Sequence, residues 1–351
     1  MKKIYLILCM VISLSLTACS GNKTNESKNE DYKNTIFLVN SNPSNKYSTL
    51  ILYNEKLNKV RTKKIDEVSL GNSVQNYYSD KNKLYIPVSY YMESDKKLSP
   101  DYIISLDRSN LDVSKIKYAT KGLNSFAVSD KHIYTSDTKQ GIANIHMNSI
   151  ENKEGDVKKI GSKNGKISRM FLYKDKLYAL YETLYPSTKS NSIELAILNP
   201  DNLDIIKEVG LNNNHRLSSV LYSKIDGKKL YIVISNKKRE TTELITYDLD
   251  TDYAVHTEIE YDSVGASVIS KDNSTYVICS NKHNKSVVYK VDSQNIPNLI
   301  KRYDYKIDQS LSLGENYYLL GRKRLYLTDK KFNIKKSVEL RDRYNTLIFL
   351  N

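Results

Sequence analysis

One unit recurs along this chain: a short apolar strand that runs into a turn headed by Asp or Asn. The clearest copies are 103–106 followed by Asp107-Arg-Ser-Asn, 244–247 followed by Asp248-Leu-Asp-Thr, and 287–291 followed by Asp292-Ser-Gln-Asn. Weaker copies turn at Asn54, Asn148, Asn199 and Asp329. With Asn54, Asp107, Asn148, Asn199, Asp250, Asp292 and Asp329 as markers, the successive spacings are 53, 41, 51, 51, 42 and 37 residues. A period of roughly 40 to 50 residues built only from strands is the signature of a β-propeller, in which each small sheet buries its faces against its neighbours around a ring. The fold class expected is therefore all-β, a closed β-propeller.

Each unit reads as four strands, A to D from the channel outward. Unit two has A at 74–78, B at 84–88, C at 102–106 and D near 114–118. Polar turns at 79–82 and 107–110 supply the Asx chemistry for tight connections. Strand B is the most regular, reading Lys-Leu-Tyr from Lys83, Lys176 and Lys229, with an apolar-Tyr variant after His132. A ring packed between neighbouring blades explains that pattern better than a site does. Unit one lacks a strand A upstream, while 346–350 follows unit seven without partners of its own. If that last strand enters the first blade, the ring closes and its free edges disappear. Seven blades are favoured, and the uneven spacing leaves six or eight open.

The first nineteen residues carry a different message. Lys2 and Lys3 precede an apolar run, 4–16, that is too short to span a bilayer comfortably. Leu16-Thr17-Ala18-Cys19 follows. This segment resembles the lipobox of bacterial lipoproteins. The resemblance implies a signal peptide at 1–18, cleavage before Cys19, a lipid (diacylglyceryl, with palmitate-type acylation) on Cys19, and a location on the extracytoplasmic face of the cell membrane. Residues 19–33 are polar except for Tyr32 and read as a flexible tether. The propeller domain is expected over 34–351. Of three cysteines, Cys9 lies in the leader and Cys19 carries the lipid, so Cys279 has no partner for an internal disulfide and reads as a small buried hydrophobe.

The formal net charge is +14, and removal of Lys2 and Lys3 leaves +12. That suits a lipid surface, an anionic wall polymer or an acidic partner, although the lysines are scattered. No basic run interleaves with aromatics, which argues against nucleic acid. Over 34–351 the pattern is similar to YVTN and WD40-like propellers, on the basis of Tyr85-Ile86 and Ser105-Leu106-Asp107; Trp is absent, so a true WD40 repeat is excluded.

Binding residues are expected on the longer B–C loops, 89–101, 181–192 and 235–242. The candidates are Tyr90, Tyr91, Met92, Tyr181 and Tyr185, with Lys237, Lys238 and Arg239 beside them; His215 and Arg216 in 211–216 are placed at a channel mouth. The five histidines show no metal-ligand spacing, and neither a Gly-x-Ser-x-Gly elbow nor a phosphate loop is present. No catalytic residue, metal or cofactor is expected. The favoured reading is a monomeric, lipid-anchored scaffold that binds a protein, peptide or anionic wall polymer. The alternative is an extracellular propeller hydrolase or lyase.

Overall fold

A computed structural model describes Tyr32 and residues 35–349, except 43–44, 68–69, 71–76, 81, 89–90, 94–95, 99–100, 119–122, 151–156, 159–164, 186–189, 212–217 and 342–344. The anchor at Cys19 lies outside the described residues, as do Tyr90, His215 and Arg216. The strands form seven four-stranded antiparallel sheets, arranged as a propeller, and no helix occurs among the described residues. Blade five shows the plan: Ser218–Asp226, Lys229–Asn236, Thr241–Asp248 and Tyr253–Ile259 serve as strands A to D.

Blade one is built from both ends of the chain. Ile36–Asn40, Ser48–Tyr53 and Lys59–Ile65 are completed by Asn345–Phe349. That last strand pairs antiparallel with Ile36–Asn40, with Ile36 opposite Phe349 and Asn40 opposite Asn345. Asn40 Nδ2 donates to Asn345 Oδ1 at 2.9 Å, which fixes the register. The orphan final strand thus becomes strand A of the first blade, as its position in the sequence implied.

The core is divided among the blade interfaces. The B-strand aromatic explains why. In blade four, Leu177 faces back toward Tyr134 and Ala143 of blade three, while Tyr178 faces forward to Leu230 and Ile232 of blade five. Alternation along a strand gives every blade two buried faces, and each face fills a different interface. Phe37, Tyr85, Tyr134, Tyr231, Tyr276 and Tyr318 repeat the forward role. Several also bond across the gap: Tyr134 Oη donates to the Pro200 carbonyl at 3.0 Å and Tyr318 Oη to that of Glu55 at 2.6 Å. The cluster joining Leu311, Leu325 and Tyr318 of blade seven to Ile36, Leu38 and Leu347 of blade one closes the circle.

The C–D turns account for the Asp/Asn repeat. Asn54 Oδ1 accepts from the N–H of Lys56 and Asn58, Asp292 Oδ1 from Gln294 and Ile296, and Asp329 Oδ1 from Lys331 and Asn333. Three or four residues on, the backbone turns left-handed at Leu57, Leu111, Leu203 and Phe332, with φ of 53°, 66°, 60° and 62°. Each of these bulky side chains is buried in an interface core. Burial holds a conformation that a large L-residue otherwise avoids. In blade five the turn is headed by Asp248, as its sequence copy indicated, with Oδ1 accepting from Asp250 and Thr251, two residues before the marker Asp250. One marker needs correction. In blade three Asn148 heads no Asx turn: its side chain is buried and its amide makes no hydrogen bond.

The long B–C loops also differ from expectation. Most of 181–192 is strand, because Lys176–Tyr185 and Ser190–Leu198 run on as a hairpin with Tyr185 opposite Ser190. In blade five only 237–240 remains as a turn. In blade two a separate hairpin, Tyr91–Glu93 with Lys96–Leu98, occupies the loop. Tyr32, read from the sequence as part of the tether, is buried against blade one, under the Arg61 guanidinium.

Candidate functional site

Strand A of each blade lines the central channel. In blades four, five and seven it carries a β-bulge, between Ile167 and Arg169, Val220 and Tyr222, and Ile307 and Gln309. An extra residue on one strand re-aims the side chains that follow it. Beyond their bulges, Arg169 of blade four and Tyr222 and Lys224 of blade five reach one cavity of about 410 Å³. Tyr77 and Tyr78 of blade two and Ser270, Ser310 and Ser312 of blades six and seven complete its wall. Leu172, Asp226 and Ser312 lie at the ends of their strands, so the cavity sits in the half of the channel nearest the A–B turns.

The electrostatics of this cavity follow from burial. Arg169 keeps some surface open to the cavity but is surrounded by protein, and lost hydration lowers its pKa; the phenols of Tyr222 and Tyr77 act in the opposite direction. Its Nη1 donates to the Ser223 carbonyl at 3.0 Å. Burial also lowers the pKa of Lys224, opposed by Asp226 at 3.5 Å and reinforced by the like charge of Arg169. Tyr222 is pushed upward by the same burial and stays a neutral hydroxyl. The described lining therefore sets two cations against one carboxylate, Asp226, amid hydroxyl groups. An anionic group entering here would gain charge-assisted hydrogen bonds where water is scarce. Arg suits carboxylate or phosphate through its planar fork, and Lys adds a point charge.

The residues expected to bind fall elsewhere. Tyr181 needs correction: it is 4% exposed, packs with Ala143 and Met170 between blades three and four, and its hydroxyl has no hydrogen-bond partner. It is a core residue because the B–C hairpin extends as strand through this position. Lys237, Lys238 and Arg239 do lie exposed on the blade-five hairpin tip, where Arg239 pairs with Glu258 at 3.3 Å. Tyr91, Met92 and Tyr185 occupy strand positions in their hairpins. These hairpins stand on the face opposite the cavity.

Arg169 and Lys224 were not among the residues the sequence singled out. A charged residue flanking an apolar strand resembles a solvated end until a bulge turns it inward. Two acid–imidazole pairs also escaped notice, His146 with Asp137 at 3.2 Å and His256 with Glu243 at 2.6 Å. Each lies within one blade, away from the cavity lining. A larger recess of about 630 Å³ between the turns of blades five and six faces Lys228, Lys229 and Lys271 with Asp226, Asp272 and Asp292, so it carries no excess charge. Among the described residues no three of His, Cys, Asp and Glu come together as metal ligands would.

No protein-family model and no curated protein sequence matches the chain. Solved structures do. Apo AztD from Citrobacter koseri superposes with a TM-score of 0.51 at 8% identity, covering 90% of this chain and 97% of that one. An acylaminoacyl peptidase in complex with Z-Gly-Gly-Phe-chloromethyl ketone gives 0.50 at 11% identity, over 77% of this chain and 46% of that one. BamB from Moraxella catarrhalis gives 0.47 at 10% identity, over 86% and 87%. At such identities what is shared is the fold, which in this chain is a β-propeller.

Proposed function

We propose that this protein is a lipid-anchored, extracytoplasmic binding propeller that takes an anionic group of its ligand into the channel cavity between Arg169 and Lys224. The observation that carries this reading is the pair of cations in a hydroxyl-lined cavity with one carboxylate. Keeping an arginine so little hydrated is costly, and a bound anion would offset that cost. The ligand class is a carboxylate- or phosphate-bearing peptide, metabolite or wall polymer fragment. A hydrolase reading would need a base poised to activate one of the hydroxyls facing this cavity, and the one carboxylate in the described lining, Asp226, is engaged by Lys224. The anchor on Cys19 and the membrane location rest on the lipobox resemblance alone.

Isothermal titration of the chain from Ser20 with inorganic phosphate and with succinate tests the site. One of the two is expected to bind, with Arg169→Gln and Lys224→Gln each weakening it by roughly 10- to 100-fold, the worth of a hydrogen bond to a charged group. Binding indifferent to both changes would refute it, as would no binding of either anion. The anchor is tested separately: Cys19→Ala should move the protein out of the membrane fraction.

A further inference from the structure

The outermost strand of each blade has one edge unpaired and faces solvent. The charges on these strands are unevenly distributed around the ring. Strand D of blade one, Lys59–Ile65, carries Lys59, Arg61, Lys63 and Lys64 and no acid. Strand D of blade two, Val113–Lys117, carries Lys115 and Lys117 and no acid. Strand D of blade seven, Ile334–Glu339, carries Lys335 and Lys336 against Glu339. Three adjoining blades thus present eight cations and one carboxylate. On the far side of blade seven, strand D of blade six, Pro297–Tyr303, extends the arc with Lys301 and Arg302 and no acid, whereas strands D of blades four and five carry Lys207 against Glu208 and Glu258.

Neighbouring acids balance part of this charge. Asp112 lies 3.9 Å from Lys63, Asp66 lies 3.1 Å from Lys64, and Glu67 pairs with Lys115. When these three are set against the arc, an excess of positive charge remains. Lys59, Lys117 and Lys335 are exposed, and so are the apolar side chains Val60, Val113 and Ile334 on the same strands. Basic groups interleaved with exposed apolar ones suit an interface between charged headgroups and acyl chains.

The centre of the arc coincides with Tyr32, the first described residue. Tyr32 docks against blade one, and Arg61 Nη1 donates to its hydroxyl. If Cys19 carries lipid, as the preceding reading holds, twelve residues separate the anchor from this point. A flexible linker of that length has a root-mean-square reach of roughly 20 Å. The anchor would hold the basic arc within a few Debye lengths of the bilayer, each about 8 Å at physiological salt.

We infer that the rim formed by strands D of blades seven, one and two is a docking surface for an anionic phospholipid bilayer, so that the ring stands on edge with its channel parallel to the membrane and both mouths open. The orientation leaves the channel cavity accessible from the side.

The test is vesicle sedimentation of the chain from Ser20, which lacks the lipid, so the result does not depend on whether Cys19 is modified. All described cores lie within this span and close on themselves. Vesicles of phosphatidylglycerol and phosphatidylcholine should bind the protein, pure phosphatidylcholine should not, and binding should fall steeply with added NaCl. Surface-proximal cations each contribute roughly fivefold, so loss of three should weaken binding on the order of a hundredfold, and K59E/K117E/K335E, which also adds three anions, by more than that. The control K131E/K139E/K237E makes the same change in net charge at exposed positions off the arc and should stay within about threefold of the parent. Equal losses in both variants would reduce the effect to net charge and overturn the inference. Failure to bind phosphatidylglycerol vesicles would overturn it too, and capture of soluble polyphosphate alongside that failure would reassign the arc to a wall polymer.

Discussion

A left-handed leucine buried in a turn sets strain against burial, and the balance can be measured at Leu203. Its φ is 60°, its N–H donates to the Asn199 carbonyl at 2.8 Å, and its side chain is 1% exposed within the core between blades three and four. Replacing it by glycine removes a left-handed penalty of about 1–2 kcal/mol. It also removes a buried leucine side chain, whose truncation in a core costs about 2–5 kcal/mol. Burial wins, so Leu203→Gly should destabilise by about 2 kcal/mol. Gln140 is the matched control. It has φ of 53°, is exposed, and precedes Gly141 in a two-residue hairpin turn. Gln140→Gly loses no burial and should stabilise by about 0.5–1 kcal/mol. Urea unfolding followed by circular dichroism reads both. With an m-value of about 3 kcal/mol/M, Leu203→Gly should lower the midpoint by about 0.7 M and Gln140→Gly should raise it slightly. A neutral or stabilised Leu203→Gly would refute the idea that the buried left-handed residue pins the C–D turns that carry one.

Three further outcomes are expected. Burial pushes the Cys279 thiol up to about 12, so a thiol reagent such as DTNB at pH 8 should leave the native protein unlabelled and react on unfolding; fast native labelling would contradict the buried position. Hydrogen bonds from the turn N–H groups and side chains lower the pKa of Asp107, Asp292 and Asp329. Stability from these groups is in full force above about pH 4 and is lost as pH falls through their lowered values, so the urea midpoint should drop on acidification, and less so in Asp292→Ala; an unchanged pH profile in that variant would count against the turn assignment. Deleting 345–351 removes strand A of blade one and exposes the edge of Ile36–Asn40, so the truncated protein should aggregate on size-exclusion chromatography, whereas a monomer with the parent melting temperature would argue against ring closure.

The ring was legible because its signals are local and repeated. Asp and Asn at the C–D turns bond to their own backbone, the B-strand tyrosines recur at one register, and the headless first unit matched the orphan final strand. The channel site was not legible, since it depends on bulges that no propensity marks and on side chains converging from five blades. Tyr181 illustrates the opposite error. Its neighbours in the sequence look like a polar loop, but the B–C hairpin continues as strand and the alternation puts its ring in the core. Tyr32 was read as part of a tether because a lone aromatic in a polar stretch gives no sign of the groove that receives it.

The most direct test of the channel as an anion site is a crystal of the chain from Ser20 soaked in selenate, with data collected at the selenium edge. The account predicts an anomalous peak in the cavity, within hydrogen-bonding reach of Arg169 and Lys224, that is absent in Arg169→Gln. Peaks confined to the outer surface, or a channel peak unaltered by that substitution, would contradict it.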